Sequence, residues 1–215
     1  MKKMIGVFLA LLPFSFCAKE KTVIVPKSIE KNNMEIQKDW DVATFAGGCF
    51  WCTEAVFLQL DGVTKVVSGY IGGRTLNPTY QEISGGMTGH AEAIEITFDP
   101  KKISYGELLE IFFATHDPTT LNRQGADSGT QYRSEVFYHN EAQKQLVTDY
   151  IALMTSENTF GKPIVTQISP ATAFYVAEDY HQNYYNQNKT QGYCSYVITP
   201  KIEKLQKMYK DKLKK

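Results

Sequence analysis

Apolar and polar positions along the chain fall into short runs that switch between the period of a strand and the period of a helix. Residues Val42 to Ala46 read as a strand, Gly47-Gly48 breaks it, and Thr53 to Leu60, apolar at Ala55, Val56, Leu58 and Leu60, predicts a helix that Asp61-Gly62 ends. Val63 to Tyr70 returns as a strand. Glu92 to Phe98 alternates strictly, and counting by twos puts Glu92 on the core-facing side with Ile94, Ile96 and Phe98. Ser104-Tyr105-Gly106-Glu107 has the form of a capping box that opens a helix through Leu108, Leu109, Ile111, Phe112 and Phe113 and stops near His116-Asp117-Pro118. A strand at 134–138, a helix capped by Asn140 and reaching about Met154, a strand at 163–168 and a tyrosine-rich helix at 176–186 follow. Two aperiodic passages, 72–90 and 119–133, interrupt this order, and stretches of that length inside a compact domain are usually functional. Interspersed strands and helices without a regular βαβ repeat, and without a phosphate-binding glycine fingerprint, predict an α+β class.

The two ends follow other patterns. Lys2 and Lys3 precede a nearly continuous apolar run to Phe16. It is shorter than the about 20 residues a membrane-spanning helix needs, but it has the form of a signal-peptide core. Residues 1–16 are therefore read as a signal peptide, which predicts export to the bacterial cell envelope or periplasm. Cys17 stands where bacterial lipoproteins are cleaved and acylated, although Phe16 replaces the small residue usual before such a site. It is the candidate lipid anchor and the sole expected link to a membrane. Residues 17–40, rich in Lys, Glu and Asn, read as a lipid-anchored linker. Residues 200–215 carry seven lysines, with Ile202, Leu205, Met208 and Tyr209 at helical spacing, and predict a basic C-terminal helix or tail.

A chain of 215 residues is long enough for one ordinary domain with appendages, and 43% hydrophobic content excludes a disordered polymer. Basic and acidic residues balance at 23 each, so no positive field gathers nucleic acid. Losing residues 1–16 would remove Lys2 and Lys3 and leave a mature net charge of −2. Cys17, Cys49, Cys52 and Cys194 are too few for a disulfide framework and need individual explanations.

Cys49 lies where a strand ends at two glycines and a helix begins. A helix N-terminus favours a thiolate, which makes Cys49 a candidate nucleophile with a lowered pKa; the bland alternative is a small buried hydrophobe. Phe50 and Trp51 are either core residues or rings that receive an apolar methyl group. Cys52 completes C-x-x-C, a redox spacing when it opens a helix.

The residues that carry a resemblance are Gly48-Cys49-Phe50-Trp51, Gly69-Tyr70-Ile71-Gly72-Gly73, Asn77-Pro78-Thr79-Tyr80, Thr88-Gly89-His90-Ala91-Glu92, the run from Gln124 to Arg133, and Ala177-Glu178-Asp179-Tyr180-His181-Gln182. In these motifs the chain resembles the type A peptide methionine sulfoxide reductases, over about Val42 to Thr199. The resemblance implies a catalytic domain at 41–199 with a two-layer α/β sandwich, a ferredoxin-like plait, around a mixed sheet. It implies Cys49 as nucleophile, Glu92 as proton donor, Tyr80 and Tyr132 as phenols that hydrogen-bond the sulfoxide oxygen, and Asp127 as a polar positioning residue. Phe50 and Trp51 match the cage for the substrate methyl; His181 lies in a motif without an assigned step.

Glu92, on the apolar side of its strand, should be held neutral by burial and so be able to donate a proton. The implied reaction reduces methionine S-sulfoxide, free or in oxidised proteins and peptides, through a cysteine sulfenic acid that a second cysteine converts to a disulfide. Cys194, in Gly192-Tyr193-Cys194, matches a resolving cysteine of the family and is the preferred resolver, with Cys52 as the alternative. An external thiol reductant, thioredoxin or similar, completes the cycle, and neither a metal nor another cofactor is expected. The rival readings are a zinc module using Cys49, Cys52 and Cys194, a thioredoxin-type oxidoreductase, and a non-catalytic surface lipoprotein. The first lacks a second ligand pair, and the second lacks the βαβ frame.

Overall fold

The computed structural model describes residues 40–215, so the expected signal peptide, Cys17 and nearly all of the linker lie outside the described residues. In chain order the elements are β1 (Asp41–Gly47), α1 (Phe50–Phe57), β2 (Val63–Ile71), α2 (Tyr80–Ser84), β3 (Ala91–Phe98), α3 (Tyr105–Thr115), β4 (Arg123–Gln124) and β5 (Asp127–Ser128). They continue with β6 (Ser134–Tyr138), α4 (Glu141–Ser156), β7 (Gln167–Pro170), β8 (Tyr175–Val176), α5 (Tyr184–Gln187), a π-helical turn (Cys194–Ile198) and α6 (Thr199–Met208). Six strands form one sheet in the order β7-β6-β1-β3-β2-β8, and β4 pairs with β5 in a separate small hairpin. Only β6 and β7 run parallel, so the sheet is mixed and the domain is α+β.

Strand β3 lies between β1 and β2 and shows why the alternation matters. Glu92, Ile94, Ile96 and Phe98 are all buried, as the count by twos requires, while Glu95 and Thr97 are half-buried on the other face. The helical side is filled by aromatic residues: Phe45 of β1 stacks on Phe112 of α3 at 4.9 Å, and Phe57 of α1 lies 5.7 Å from Phe45. Truncating a buried phenylalanine such as Phe112 to alanine typically costs about 3–5 kcal/mol, so this layer is a main support of the sheet. Ser104 and Glu107 form the expected capping box on α3, and Asn140 accepts from Gln143 N–H to cap α4.

Three expectations are corrected. Helix α1 starts at Phe50, three residues before the predicted Thr53, with Cys49 itself as N-cap. The strand expected at 163–168 pairs at Gln167–Pro170, because Val165 N–H is taken by the Pro118 carbonyl and leaves the chain looped until Gln167 reaches Glu135. The tyrosine-rich helix expected at 176–186 is instead β8, a 3₁₀ turn at Asp179–His181 and the four-residue α5. The Gln182 side chain crosses to both backbone groups of Ser68, and Asn183 takes a left-handed conformation at φ 52°, so these residues bond outward instead of along a helix.

A C-terminal helix spans Thr199–Met208 and buries Ile202 and Leu205. Beyond it the chain returns to the end of α1: Leu213 bridges Leu60, Asp61 N–H donates to the Lys212 carbonyl at 2.8 Å, and Lys212 pairs with Glu107.

Candidate active site

The junction of β1 and α1 sets the position of Cys49. Gly48 adopts φ +89°, and a Cβ there would lie 2.5 Å from Cβ of Gln124, so only glycine lets the chain turn beneath the 119–133 passage. Cys49 follows as N-cap, 8% exposed, without a side-chain cap.

Across the sheet, Glu92 is 2% exposed and accepts the backbone N–H of Phe50 at 3.1 Å. Burial pushes its carboxyl up to about 8, with Asp127 and Cys52 adding to the rise against the opposing Phe50 N–H. The acid is therefore neutral at pH 7. Tyr80 opens α2, whose capping box, Thr79 with Glu82, lies inside a passage that showed no periodicity. Tyr132 ends the 3₁₀ turn Thr130–Tyr132. Burial, and after it the charge of Glu92, raises both phenols, so they remain donors. Phe50 and Trp51 project from the first turn of α1, their rings 6.4 Å apart.

The expected residues are thus brought together, and Asp127 joins them through the phenol of Tyr193, which donates to its carboxylate at 2.6 Å. Tyr193 also lies 3.7 Å from the Cys52 sulfur. A second tier of groups had no role in the sequence reading. His181 is buried, accepts Trp51 Nε1–H at its Nδ1 (3.1 Å), and packs against Phe50 and Tyr80 at 5.0 and 4.4 Å. Burial lowers its pKa despite Glu178, so the ring is neutral, with its proton assigned to Nε2. Glu178 receives Tyr70 O–H at 2.9 Å and Tyr80 N–H at 2.8 Å, fixing the start of α2. Buried Glu54 of α1 accepts Asn183 and Tyr184 N–H and holds Tyr184 stacked on Trp51 at 3.7 Å, 6° from parallel. The run Ala177 to Gln182 was the only sequence signal for this tier; Glu54 and Tyr193 had none, because their partners are more than 60 residues away.

Cys49, Cys52 and Cys194 are all free and buried in one apolar cluster with Ala55, Ile198 and Ile202. The lowered pKa expected for Cys49 is not found. Burial pushes its thiol well up, and the neighbouring Cys52 and Glu92 add to the rise against Tyr193. The hydrogen bond from Cys49 instead holds Cys52 down to about 7 against its own burial, helped by Lys201 and Tyr193. Burial raises Cys194. Among the described residues, no group of three or more His, Cys, Asp or Glu side chains is placed to hold a metal ion.

Known proteins agree with this geometry. The family model described as peptide methionine sulfoxide reductase matches residues 41–213. Peptide methionine sulfoxide reductase MsrA of Deinococcus radiodurans is 62% identical over 172 residues, covering 80% of this chain and 84% of that one; the Acinetobacter baumannii protein of the same name is 55% identical over 172 residues, covering 80% and 98%. Among solved structures, reduced Mxr1 of Saccharomyces cerevisiae superposes with TM-score 0.66 at 34% identity, over 74% of this chain and 91% of that one. Methionine sulfoxide reductase A of Corynebacterium diphtheriae gives TM-score 0.64 at 33% identity, over 74% and 80%. The chain belongs to the peptide methionine sulfoxide reductases of type A, enzymes that use thiols to reduce methionine sulfoxide.

Proposed function

We propose that this site reduces the S epimer of methionine sulfoxide, free or within oxidised peptides and proteins, with Cys49 as nucleophile and Glu92 as acid. The observation that carries the assignment is a neutral, buried Glu92 carboxyl beside a buried thiol, with the Tyr80 and Tyr132 phenols held near the same carboxyl. The Cys49 sulfur attacks the sulfoxide sulfur while Glu92 protonates its oxygen, and the phenols donate to the charge that develops there. Cys49 passes its proton to the neighbouring Cys52 thiolate as it attacks. The hydroxyl ends on Cys49 as a sulfenic acid, methionine leaves, and the proton held by Cys52 restores Glu92. Phe50 and Trp51 receive the apolar methyl group, and Asp127 holds Tyr193 in place.

Resolution then needs a thiolate in contact with Cys49. The low value at Cys52, held there by the neighbouring Cys49, supports Cys52 as first to attack: its thiolate displaces the sulfenic hydroxyl, which leaves as water with the proton of Glu92, and a disulfide forms across one helical turn. Cys194, in the same cluster, takes over by attacking Cys52 and leaving Cys49 free. A thioredoxin-like dithiol reduces the final disulfide, so no metal or further cofactor enters the cycle. The plait reading is supported by the run β1-α1-β2-β3-α3-β6 with sheet order β6-β1-β3-β2, neighbours antiparallel throughout. Export through residues 1–16 and acylation at Cys17 belong to the same proposal and rest on the sequence alone.

The decisive assay offers S- and R-methionine sulfoxide with dithiothreitol to wild type and to Cys49→Ser. S-selective turnover that the variant loses by at least about 10³-fold is expected. Equal turnover of the two enzymes, or of the two epimers, would sink the assignment.

A further inference from the structure

The 3₁₀ turn Thr130–Tyr132 has two sides. Tyr132 faces the Glu92 site, whereas Thr130 and the following Arg133 line an open polar groove of about 590 Å³, shared with Gly72, Arg74, Gly86 and Glu135. Arg133 is buried and commits Nε to Glu135 at 2.5 Å and Nη1 to the Thr130 carbonyl at 3.0 Å. Glu135 is satisfied a second time by Ser169 O–H at 2.6 Å, so its charge is already answered within the wall. Nη2 of Arg133 has no hydrogen-bond acceptor among the described residues and lies beside Gly72, which borders the groove. A Cβ at Gly72 (φ +83°) would stand 3.0 Å from that nitrogen and 2.9 Å from the Phe137 ring, so any other residue there would cover it.

Arg74 is exposed on the same groove, and its guanidinium has no ion pair or hydrogen bond among the described residues. An uncommitted guanidinium and a second with a free N–H, one turn of chain from the reacting centre, have no structural task that explains them.

We infer that this groove is a subsite for the client polypeptide next to its sulfoxide residue, with Arg74 and Arg133 Nη2 receiving a carboxylate. The inference rests on the activity proposed above and adds a substrate class: oxidised methionines with an acidic group nearby in the chain. The carboxylate can be an Asp or Glu side chain or the terminal carboxylate of a peptide. Guanidinium forks suit either by bidentate hydrogen bonding.

The test uses undecapeptides with a central methionine S-sulfoxide, amidated at the C-terminus, with Glu, Gln or Lys placed in turn at one to four residues on either side. A further Gln series with a free C-terminal carboxylate at each downstream position separates the two sources. With dithiothreitol as reductant, at least one position should favour Glu over Lys by about fivefold in kcat/KM, mainly through KM, and salt should erode the preference. Arg74→Glu should reverse it and Arg74→Ala should level it. A wild-type enzyme indifferent to charge at every position, or a Glu preference that survives Arg74→Glu, overturns the subsite. Free methionine sulfoxide, run with wild type in parallel, tells failure of the chemistry from failure of the subsite. If it is not turned over, equilibrium binding of the same peptides decides: tighter binding of the Glu peptide, reversed by Arg74→Glu, upholds the groove, and equal affinities reject it.

Discussion

Glu92 and Cys52 are displaced from their ordinary values so that their useful forms overlap in a narrow range of pH. Glu92 is a proton donor below about 8, and Cys52 is a thiolate above about 7. Sulfoxide reduction should therefore fall as pH rises through about 8, while closure of the disulfide should accelerate as pH rises through about 7. Single-turnover methionine release and thiol loss, followed separately by quenched flow, should show these opposite limbs, and Glu92→Gln should lower the first by about 10²-fold and remove its limb. The folded value of Glu92 lies above its ordinary 4.5, so its contribution to stability is complete below about 4.5 and is lost as pH rises through about 8. Thermal melts of Glu92→Gln should be flatter over that interval. The placement of Glu92 was legible, because strand parity alone buried it with Ile94 and Ile96. The order of the two thiol pKa values was not, since it depends on burial and on Lys201, about 150 residues away.

At the scale of elements, α1 and the segment from Asp179 to Ile198 form one mechanical unit. Glu54 ties the backbone of Asn183 and Tyr184 to α1, Tyr184 stacks on Trp51, and Tyr193 spans from Asp127 to Cys52. Cys194 follows Tyr193 directly, so forming a Cys52–Cys194 disulfide should shift the phenol that touches Cys52 and packs edge-on against Trp51. In a Trp40→Phe background, which leaves Trp51 as the sole tryptophan, oxidation should change the fluorescence. Cys194→Ser should abolish the change, and an unchanged spectrum in the parent would count against the relay. The elements with clear periodicity, β1 to β3, α3 and α4, were read with small errors of boundary. The segment that carries Tyr193 was not, because its residues satisfy Ser68, Glu54 and Asp127 across the molecule instead of their own neighbours.

Taken whole, the domain fastens its last residues back onto the elements that carry the site. Acylation at Cys17 predicts a mature N-terminus whose mass exceeds the peptide by its acyl groups. An unmodified soluble product removes the anchor and leaves the catalytic reading untouched. The last turn of chain should matter more than its exposure implies. Tyr209, Lys212 and Leu213 attach it to Glu110, Glu107 and Leu60. Deleting residues 209–215 should lower stability by about 2 kcal/mol or more, read as the denaturation midpoint, and should slow formation of the Cys194 disulfide more than the first release of methionine.

That attachment changes what kind of object the Cys194 segment is. Glu54 fastens it at Asn183, and the Leu60–Leu213 bridge fastens it again after α6, both times to the helix that presents Cys52 or to its immediate end. Cys194 is therefore carried on a strap buckled at both ends. The strap keeps the thiol at a high local concentration beside its target whatever the concentration of protein around it. Its travel is limited to slack within the strap, and Cys194 itself opens the π-helical turn, which is wound one residue looser than an α-helix.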